Sequence, residues 1–218
     1  MAYDIQIDSG IYHSREKYMT VERWSTYALA ISEIMKINPK KILEIGPGNG
    51  IVTSILKKIG FEVKTLDFDS SLNPDFVFDV SNDSILDLKQ YDFDLILASE
   101  VFEHIKYEDF LKSLKNLSQM CQTLVITIPS ERLRSCFFGF CLKLPLFGKI
   151  SHGFKLKYKR RPNIFEGQHY WEIGKTGYPF GKIKSDIKKD GWKIEKSFYN
   201  FENPYHYFLI LKNGNRKS

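Results

Sequence analysis

Three glycines spaced two apart, Gly46, Gly48 and Gly50, follow an acid in the stretch Lys41-Ile-Leu-Glu-Ile-Gly-Pro-Gly-Asn-Gly-Ile51. Glycine lacks a Cβ, so such a loop turns tightly and lets the backbone come close to a ligand. Further acids stand at Asp67 and Asp79, and a dense group, Glu100-Val-Phe-Glu103-His104, follows Ser99. A carboxylate about 20 residues beyond a glycine loop can accept two hydrogen bonds from vicinal ribose hydroxyls. On a helix, positions i and i+3 share a face and i+4 lies beside them, so Glu100, Glu103 and His104 would converge. Two carboxylates and an imidazole suit Mg²⁺, Mn²⁺ or Zn²⁺. Later in the chain, Gly167-Gln-His169-Tyr-Trp171-Glu172 offers an imidazole able to take a hydroxyl proton near neutral pH.

The elements that must hold these groups alternate. Ile42, Leu43 and Ile45 form a short apolar run, a buried parallel strand, and Ile51 to Ile59 resumes helical spacing. The glycine loop therefore delivers the chain to a helix N-terminus with unpaired N–H groups. Phe61 to Leu66 is a second strand ending at Asp67, and Asp75-Phe-Val-Phe-Asp79-Val80 contains a short third. Phe93 to Glu100 is the fourth, a helix runs from Glu100 to about Met120, and Leu124 to Ile128 is the fifth strand, closed by Pro129. Strands alternating with helices predict a doubly wound parallel sheet. Its acid-tipped ends, Asp67, Asp79 and Ser99-Glu100, then share one edge with the glycine loop. Ahead of this core, apolar residues three and four apart predict an amphipathic helix from about Glu16 to Ile37, ended by Asn38-Pro39. After it come a helix over Pro179 to Lys189, stopped by Gly191, and an antiparallel pair, Trp192 to Tyr199 and Tyr205 to Leu211. Local readings stay open: Asp69 suits a capping role better than Asp67 does, and Asp79 can serve a helix start near Ser81 to Asp83.

Position 51 is isoleucine, where a dinucleotide site places its third glycine. The pattern Glu44-x-Gly46-x-Gly48-x-Gly50 instead resembles motif I of the class I S-adenosylmethionine-dependent methyltransferases. The resemblance covers Lys40 to Pro129, through Val63-Lys-Thr-Leu-Asp-Phe-Asp69, Asp79-Val80 and Ala98-Ser-Glu-Val-Phe-Glu-His104, and looks like the methyltransferase-domain superfamily acting on small molecules and lipids. It implies an α/β, Rossmann-like, seven-stranded and mostly parallel sheet with an antiparallel C-terminal strand and a lid or insert after strand five. It also implies S-adenosylmethionine as cofactor and S-adenosylhomocysteine as product. Carried over by position, the cofactor residues are Glu44, Gly46, Pro47, Gly48, Gly50, Asp67, Phe68, Asp79, Val80, Ser99 and Glu100. Asp79 would receive the adenine amino group, and the N-terminal helix would partly cover the cofactor. Glu100-x-x-Glu103-His104 is similar to ubiquinone-pathway O-methyltransferases and small-RNA 2′-O-methyltransferases, where these side chains hold a divalent metal. Other superfamily members carry a Glu-His here without metal, the glutamate facing the helix dipole and the histidine lining the pocket. The metal-free reading is preferred. The Gly-x-His-x-Trp-Glu segment also resembles the ubiquinone-pathway enzymes. His169, His104 and Glu103 are thus the catalytic candidates, with His169 as general base or, equally, as a substrate-positioning group.

A chain of 218 residues, 43% hydrophobic, suits one domain. It divides into an N-terminal cover (1–39), a cofactor core (40–130), an insert (131–178) and a C-terminal helix and strand pair (179–218). No window reaches the ~18 uncharged apolar residues of a membrane span, and the N-terminus lacks a signal-peptide pattern. Cys121, Cys136 and Cys141 show no zinc spacing, so reduced thiols and a cytoplasmic location are expected. From Arg132 to Phe165 there are nine Lys or Arg and no Asp or Glu. An apolar half, Cys136 to Phe147, precedes a basic half, Lys155 to Arg161. The bland reading is a lid with Phe137 and Phe138 buried and a solvated basic tail. The functional one is peripheral contact with an anionic membrane, where apolar insertion and basic attraction add. Nucleic acid, met through Tyr158, Phe165 and the basic residues, ranks third because no nucleic-acid module accompanies them. Strand four ends in Ser99-Glu100 rather than Asn-Pro-Pro-Tyr, which argues against a DNA amino-methylase. The expected activity is O-methylation of a small-molecule, glycan or lipid-linked acceptor. The alternatives are N-methylation, or a silent cofactor-binding module.

Overall fold

The computed structural model describes residues 3–6, 9–131, 135–144, 148–157, 159 and 161–214. Arg132, Arg134, Tyr158 and Arg160 lie outside them, as does the side chain of Lys157.

Seven strands form one sheet: β1 (Lys41–Ile45), β2 (Glu62–Asp67), β3 (Phe76–Val77), β4 (Leu95–Ser99), β5 (Thr123–Pro129), β8 (Trp192–Tyr199) and β9 (His206–Asn213). Their spatial order is β3-β2-β1-β4-β5-β9-β8. The first five are parallel, β9 runs antiparallel to β5, and β8 runs antiparallel to β9. The expected seven-stranded doubly wound sheet is therefore present. Chain direction across the sheet reverses between β1 and β4, and in such sheets the crevice outside the strand C-termini at this point takes the ligand.

Alternation along the strands sends side chains to two cores. Leu43, Ile45, Ile96, Ala98, Leu124 and Ile126 meet α4 (Tyr107–Leu117) and α5 (Phe180–Lys189) on one face. Ile42, Leu95, Leu97 and Val125 meet α2 (Val21–Ile37) and α3 (Ile51–Lys58) on the other. Asp94 fastens the start of β4 to β1, its carboxylate accepting from the Lys40 and Lys41 amides, both at 2.8 Å.

Two helices differ from expectation. The helix expected from Glu16 to Ile37 is split into α1 (Arg15–Tyr18) and α2. Thr20 is extended (φ −90°, ψ 155°) and its hydroxyl accepts from the Arg23 amide, so it caps a fresh start at Val21. Asn38 ends α2 in the left-handed conformation (φ 52°). The helix expected from Glu100 begins only at Tyr107. Glu100 is itself left-handed (φ 56°), Phe102–His104 make one 3-10 turn, and Ile105 is extended. The helical-face argument that grouped Glu100 with Glu103 and His104 therefore fails, and so does a place for this glutamate on the helix dipole.

After β5 the insert is a β-ribbon, β6 (Ser135–Leu144) paired antiparallel with β7 (Gly148–Lys157). Phe137 turns inward against Tyr199 and Phe201, while Phe138 is 49% exposed. The lid reading buries both rings, whereas Phe137 is half-buried and Phe138 is not covered.

Candidate functional site

The glycine loop is built by conformation. Gly46, Gly48 and Gly50 all have positive φ (69°, 53° and 68°). A Cβ at Gly46 would press on the Val101 side chain, and one at Gly48 would lie 3.3 Å from the Tyr12 ring. Gly50 N-caps α3 without a side chain to offer, and Asn49 supplies the missing acceptor through Oδ1 to the Ile51 amide (3.2 Å).

This loop floors a cavity of about 380 Å³ at the switch point. Every expected cofactor residue except Gly50 lines it: Glu44, Gly46, Pro47, Gly48, Asp67, Phe68, Asp79, Val80, Ser99 and Glu100. Gly50 opens instead on a shallower depression behind the loop. Glu44 is buried, receives a hydrogen bond from the Thr53 hydroxyl, and burial pushes its carboxyl up to about 7. Asp67 ends β2 with its carboxyl raised by burial; its Oδ1 accepts from the Asp69 amide at 3.0 Å. Asp69 caps the next turn through the Ser71 amide. Asp79 Oδ1 accepts from both the amide and the hydroxyl of Ser81 (2.8 and 2.7 Å), so it also shapes its own turn.

At the other end stand Glu103, His104 and His169, one ligating atom of each lying within 4.8 Å of the others. The chain returns here because the Tyr170 amide donates to the Glu103 carbonyl (2.8 Å) and the buried Trp171 indole donates to the Phe102 carbonyl (3.0 Å). These bonds fix His169 beside the 3-10 turn. Its Nδ1 lies 3.1 Å from Glu172 Oε1 and 3.3 Å from the Tyr205 hydroxyl. A carboxylate facing Nδ1 places the proton there and leaves Nε2 as the acceptor. Burial alone would raise the Glu172 carboxyl, but hydrogen bonds from His169 and Lys175 outweigh it and hold the group low, in its charged form. His104 is neutral: burial, with His169 adding, pushes its imidazole down to about 4. Its Nδ1 faces Gln6 Oε1 (2.9 Å) and the Gln168 carbonyl (3.1 Å).

The cavity also holds carboxyl oxygens without hydrogen-bond partners among the described residues, namely Glu100 Oε1 and both oxygens of Glu103. Burial raises both carboxyls, to about 7 for Glu100 and well above the ordinary range for Glu103, where Glu100 adds repulsion. Glu100 Oε2 lies 3.3 Å from His206 Nε2, yet burial drives that imidazole down to about 3. Burial outweighs attraction here, so both groups of this pair are pushed toward their neutral forms. His206 Nδ1 lies 2.8 Å from the Thr26 hydroxyl.

Several lining residues were not foreseen. Gln6, Tyr12, Tyr18, Arg23 and Tyr27 come from the N-terminal cover, Tyr205 from the residue before β9 and His206 from its start. Tyr18, Arg23 and Tyr27 lay within the helical periodicity, but periodicity marks a buried face and not which ligand it faces. Gln6 and His206 carry no local signal. His152 is exposed on the ribbon, far from any such role.

A mostly parallel sheet in this order, with its cavity at the β1/β4 switch point, defines a Rossmann-like methyltransferase fold. Residues 15–170, more than half of the chain, match the family described as "Methyltransferase domain", and the chain belongs to that family. Among solved structures it is similar to an S-adenosylmethionine-dependent methyltransferase from Clostridium acetobutylicum ATCC 824 (TM-score 0.60, 14% identity, 95% of this chain and 98% of that one). It is also similar to 1,6-didemethyltoxoflavin-N1-methyltransferase from Burkholderia thailandensis, with 1,6-didemethyltoxoflavin and S-adenosylhomocysteine bound (0.58, 12%, 94% and 85%). A third is the glycopeptide N-methyltransferase MtfA complexed with S-adenosylhomocysteine (0.58, 9%, 87% and 89%). No curated protein sequence matches the chain.

Proposed function

We propose that this enzyme transfers the methyl group of S-adenosylmethionine to a hydroxyl of a small-molecule, glycan or lipid-linked acceptor. The observation that carries the reading is a single cavity holding the glycine loop and strand-end acids at one end and the Glu172-oriented His169 at the other.

The residues present fit the cofactor. Its sulfonium and ammonium groups are cationic, and the cavity contains carboxyl oxygens of Glu100 and Glu103 without hydrogen-bond partners among the described residues. A cation would draw these carboxyls back toward the charged form against the burial that raises them. Asp67, at the tip of β2, would take the ribose hydroxyls, and Asp79 and Val80, which line the same cavity, would meet the adenine. Gly46 and Gly48 leave room for close backbone approach. S-adenosylmethionine supplies a methyl already activated on sulfur. The chain's work is to align the acceptor and to take its proton, which His169 Nε2 does while Glu172 stabilises the imidazolium through Nδ1. A hydroxyl needs that base; an uncharged amine needs little help, so the N-methyl alternative predicts a dispensable His169.

With methyl-labelled cofactor and an acceptor fraction from extract, His169→Ala should lower turnover by about 10²–10⁴-fold and leave cofactor affinity unchanged. Glu172→Gln should lower it less. Full turnover by His169→Ala rejects the general base, and no transfer by the parent protein rejects the function.

A second reading has its own observation. Glu103, His104 and His169 converge closely enough to hold one divalent ion, although Glu100 does not join them. An ion there would polarise the acceptor hydroxyl. On the metal-free reading EDTA leaves turnover and melting temperature unchanged. A loss of both, restored by Mg²⁺, Mn²⁺ or Zn²⁺, establishes the second reading.

A further inference from the structure

The β6–β7 ribbon has one seated face and one outer face. On the seated face Phe137 packs edge-on to Tyr199 and Phe201 at 5.9 and 5.6 Å between ring centroids. Gly139 and Gly153 pair directly across the ribbon here, and a Cβ at either would overlap the Phe201 or Phe137 ring. Lys155 Nζ donates to the Ser130 and Glu131 carbonyls (3.3 and 3.1 Å) and lies 5.2 Å above the Tyr199 ring. The ribbon is thus docked on the protein by a side shaped for that purpose.

Its outer face has the opposite character from a solvated one. Phe138 pairs with Phe154, Leu142 with Ile150 and Cys136 with Leu156. Phe138, Phe140, Leu142, Ile150, Phe154 and Leu156 are each between 48% and 59% exposed. A ribbon packed on one side ordinarily turns polar residues outward. A contiguous apolar face on a protein surface marks an interaction site. The charge around it says with what: residues 132–165 hold nine Lys or Arg and no acid. Although Lys155 is taken up on the seated side, Lys143 near the tip of the ribbon, on the Phe137 side by alternation, and Lys159 beyond its base are exposed and flank the outer face. A second copy of the chain meeting this face would bring two strongly positive segments together, whereas an anionic bilayer satisfies both the apolar and the basic groups.

We propose that the outer face of this ribbon docks on an anionic lipid surface, and that the acceptor is a lipid-linked molecule taken from that surface. The second clause rests on the methyl-transfer reading. It draws on connectivity: the ribbon sits on Tyr199 and Phe201, and Tyr205, a few residues on, reaches His169.

Flotation of the full chain with vesicles tests the docking without any turnover. The protein should float with vesicles of phosphatidylcholine and phosphatidylglycerol in equal parts, stay down with phosphatidylcholine alone, and lose binding as salt rises. Lys143→Gln and Lys159→Gln should each weaken binding about fivefold. The triple change Phe138→Ser, Phe140→Ser and Phe154→Ser should abolish flotation while melting and S-adenosylmethionine affinity stay unchanged, since these side chains lie outside both cores. No flotation on anionic vesicles overturns the proposal, as does equal flotation on neutral ones. A dimer that the triple change dissociates, in a protein that does not float, overturns it in favour of self-association. Failure of flotation leaves methyl transfer standing, and the reverse also holds.

Discussion

Glu44 shows how a single side chain reports on this site. Its carboxyl is buried at the end of β1 and held up to about 7, against 4.5 ordinarily, with the Thr53 hydroxyl and the Lys57 charge opposing the burial and not overcoming it. Between pH 4.5 and about 7 the folded state therefore binds a proton that the unfolded chain has lost. Stability from this group is present below pH 4.5 and falls as pH rises through that window. Glu44→Gln needs no proton and can still accept from Thr53. It should raise the stability of the ligand-free protein at pH 7.5 by up to ~3 kcal/mol, since each unit is about 1.4 kcal/mol. At pH 4 the two proteins should melt together. Denaturant melts at both values check this, and a variant no more stable than the parent at pH 7.5 contradicts it. At this scale the candidate cofactor residues that line the cavity were legible because each sits beside a glycine or at a strand tip, where type and position coincide. The Glu100-Glu103-His104 group was misread, because one left-handed residue and a 3-10 turn replaced the helix that its spacing implied.

Among the elements, the loop joining β1 to α3 carries the most consequence. Gly46 and Gly50 share a left-handed backbone, but only Gly46 has a neighbour in the way of a Cβ. Gly50→Ala should cost ~1–2 kcal/mol, the conformational penalty alone. Gly46→Ala adds displacement of Val101, which precedes the 3-10 turn, and should cost more and weaken the cofactor as well. Thermal melts and cofactor titrations of the two variants side by side decide this; equal losses would show that the packing around Val101 does not matter. The strands of the main sheet were legible as apolar runs bounded by turns. The ribbon was not, because Phe137 and Cys141 interrupt the alternation of Phe138, Phe140 and Leu142, and Gly139 reads as a break rather than as room for a ring. The split between α1 and α2 was hidden because apolar spacing continued through the Thr20 cap.

For the molecule as a whole, the sheet order brings together groups that are up to 180 residues apart in the chain. Gln6 binds His104, Thr26 meets His206, and Tyr205 meets His169. None of these pairings has a local sequence signature, which is why one wall of the cavity came into view only with the fold. No described helix is long and apolar enough to cross a membrane. On the proposed function, S-adenosylmethionine occupies this cavity against Asp67. Calorimetric titration of the protein and of Asp67→Ala with S-adenosylmethionine, with NAD as the competing ligand type, tests it most directly. The parent protein should bind S-adenosylmethionine and ignore NAD, and Asp67→Ala should lose ~1–3 kcal/mol of affinity through the missing ribose hydrogen bonds. Unchanged affinity in Asp67→Ala, or binding of NAD in place of S-adenosylmethionine, would contradict it.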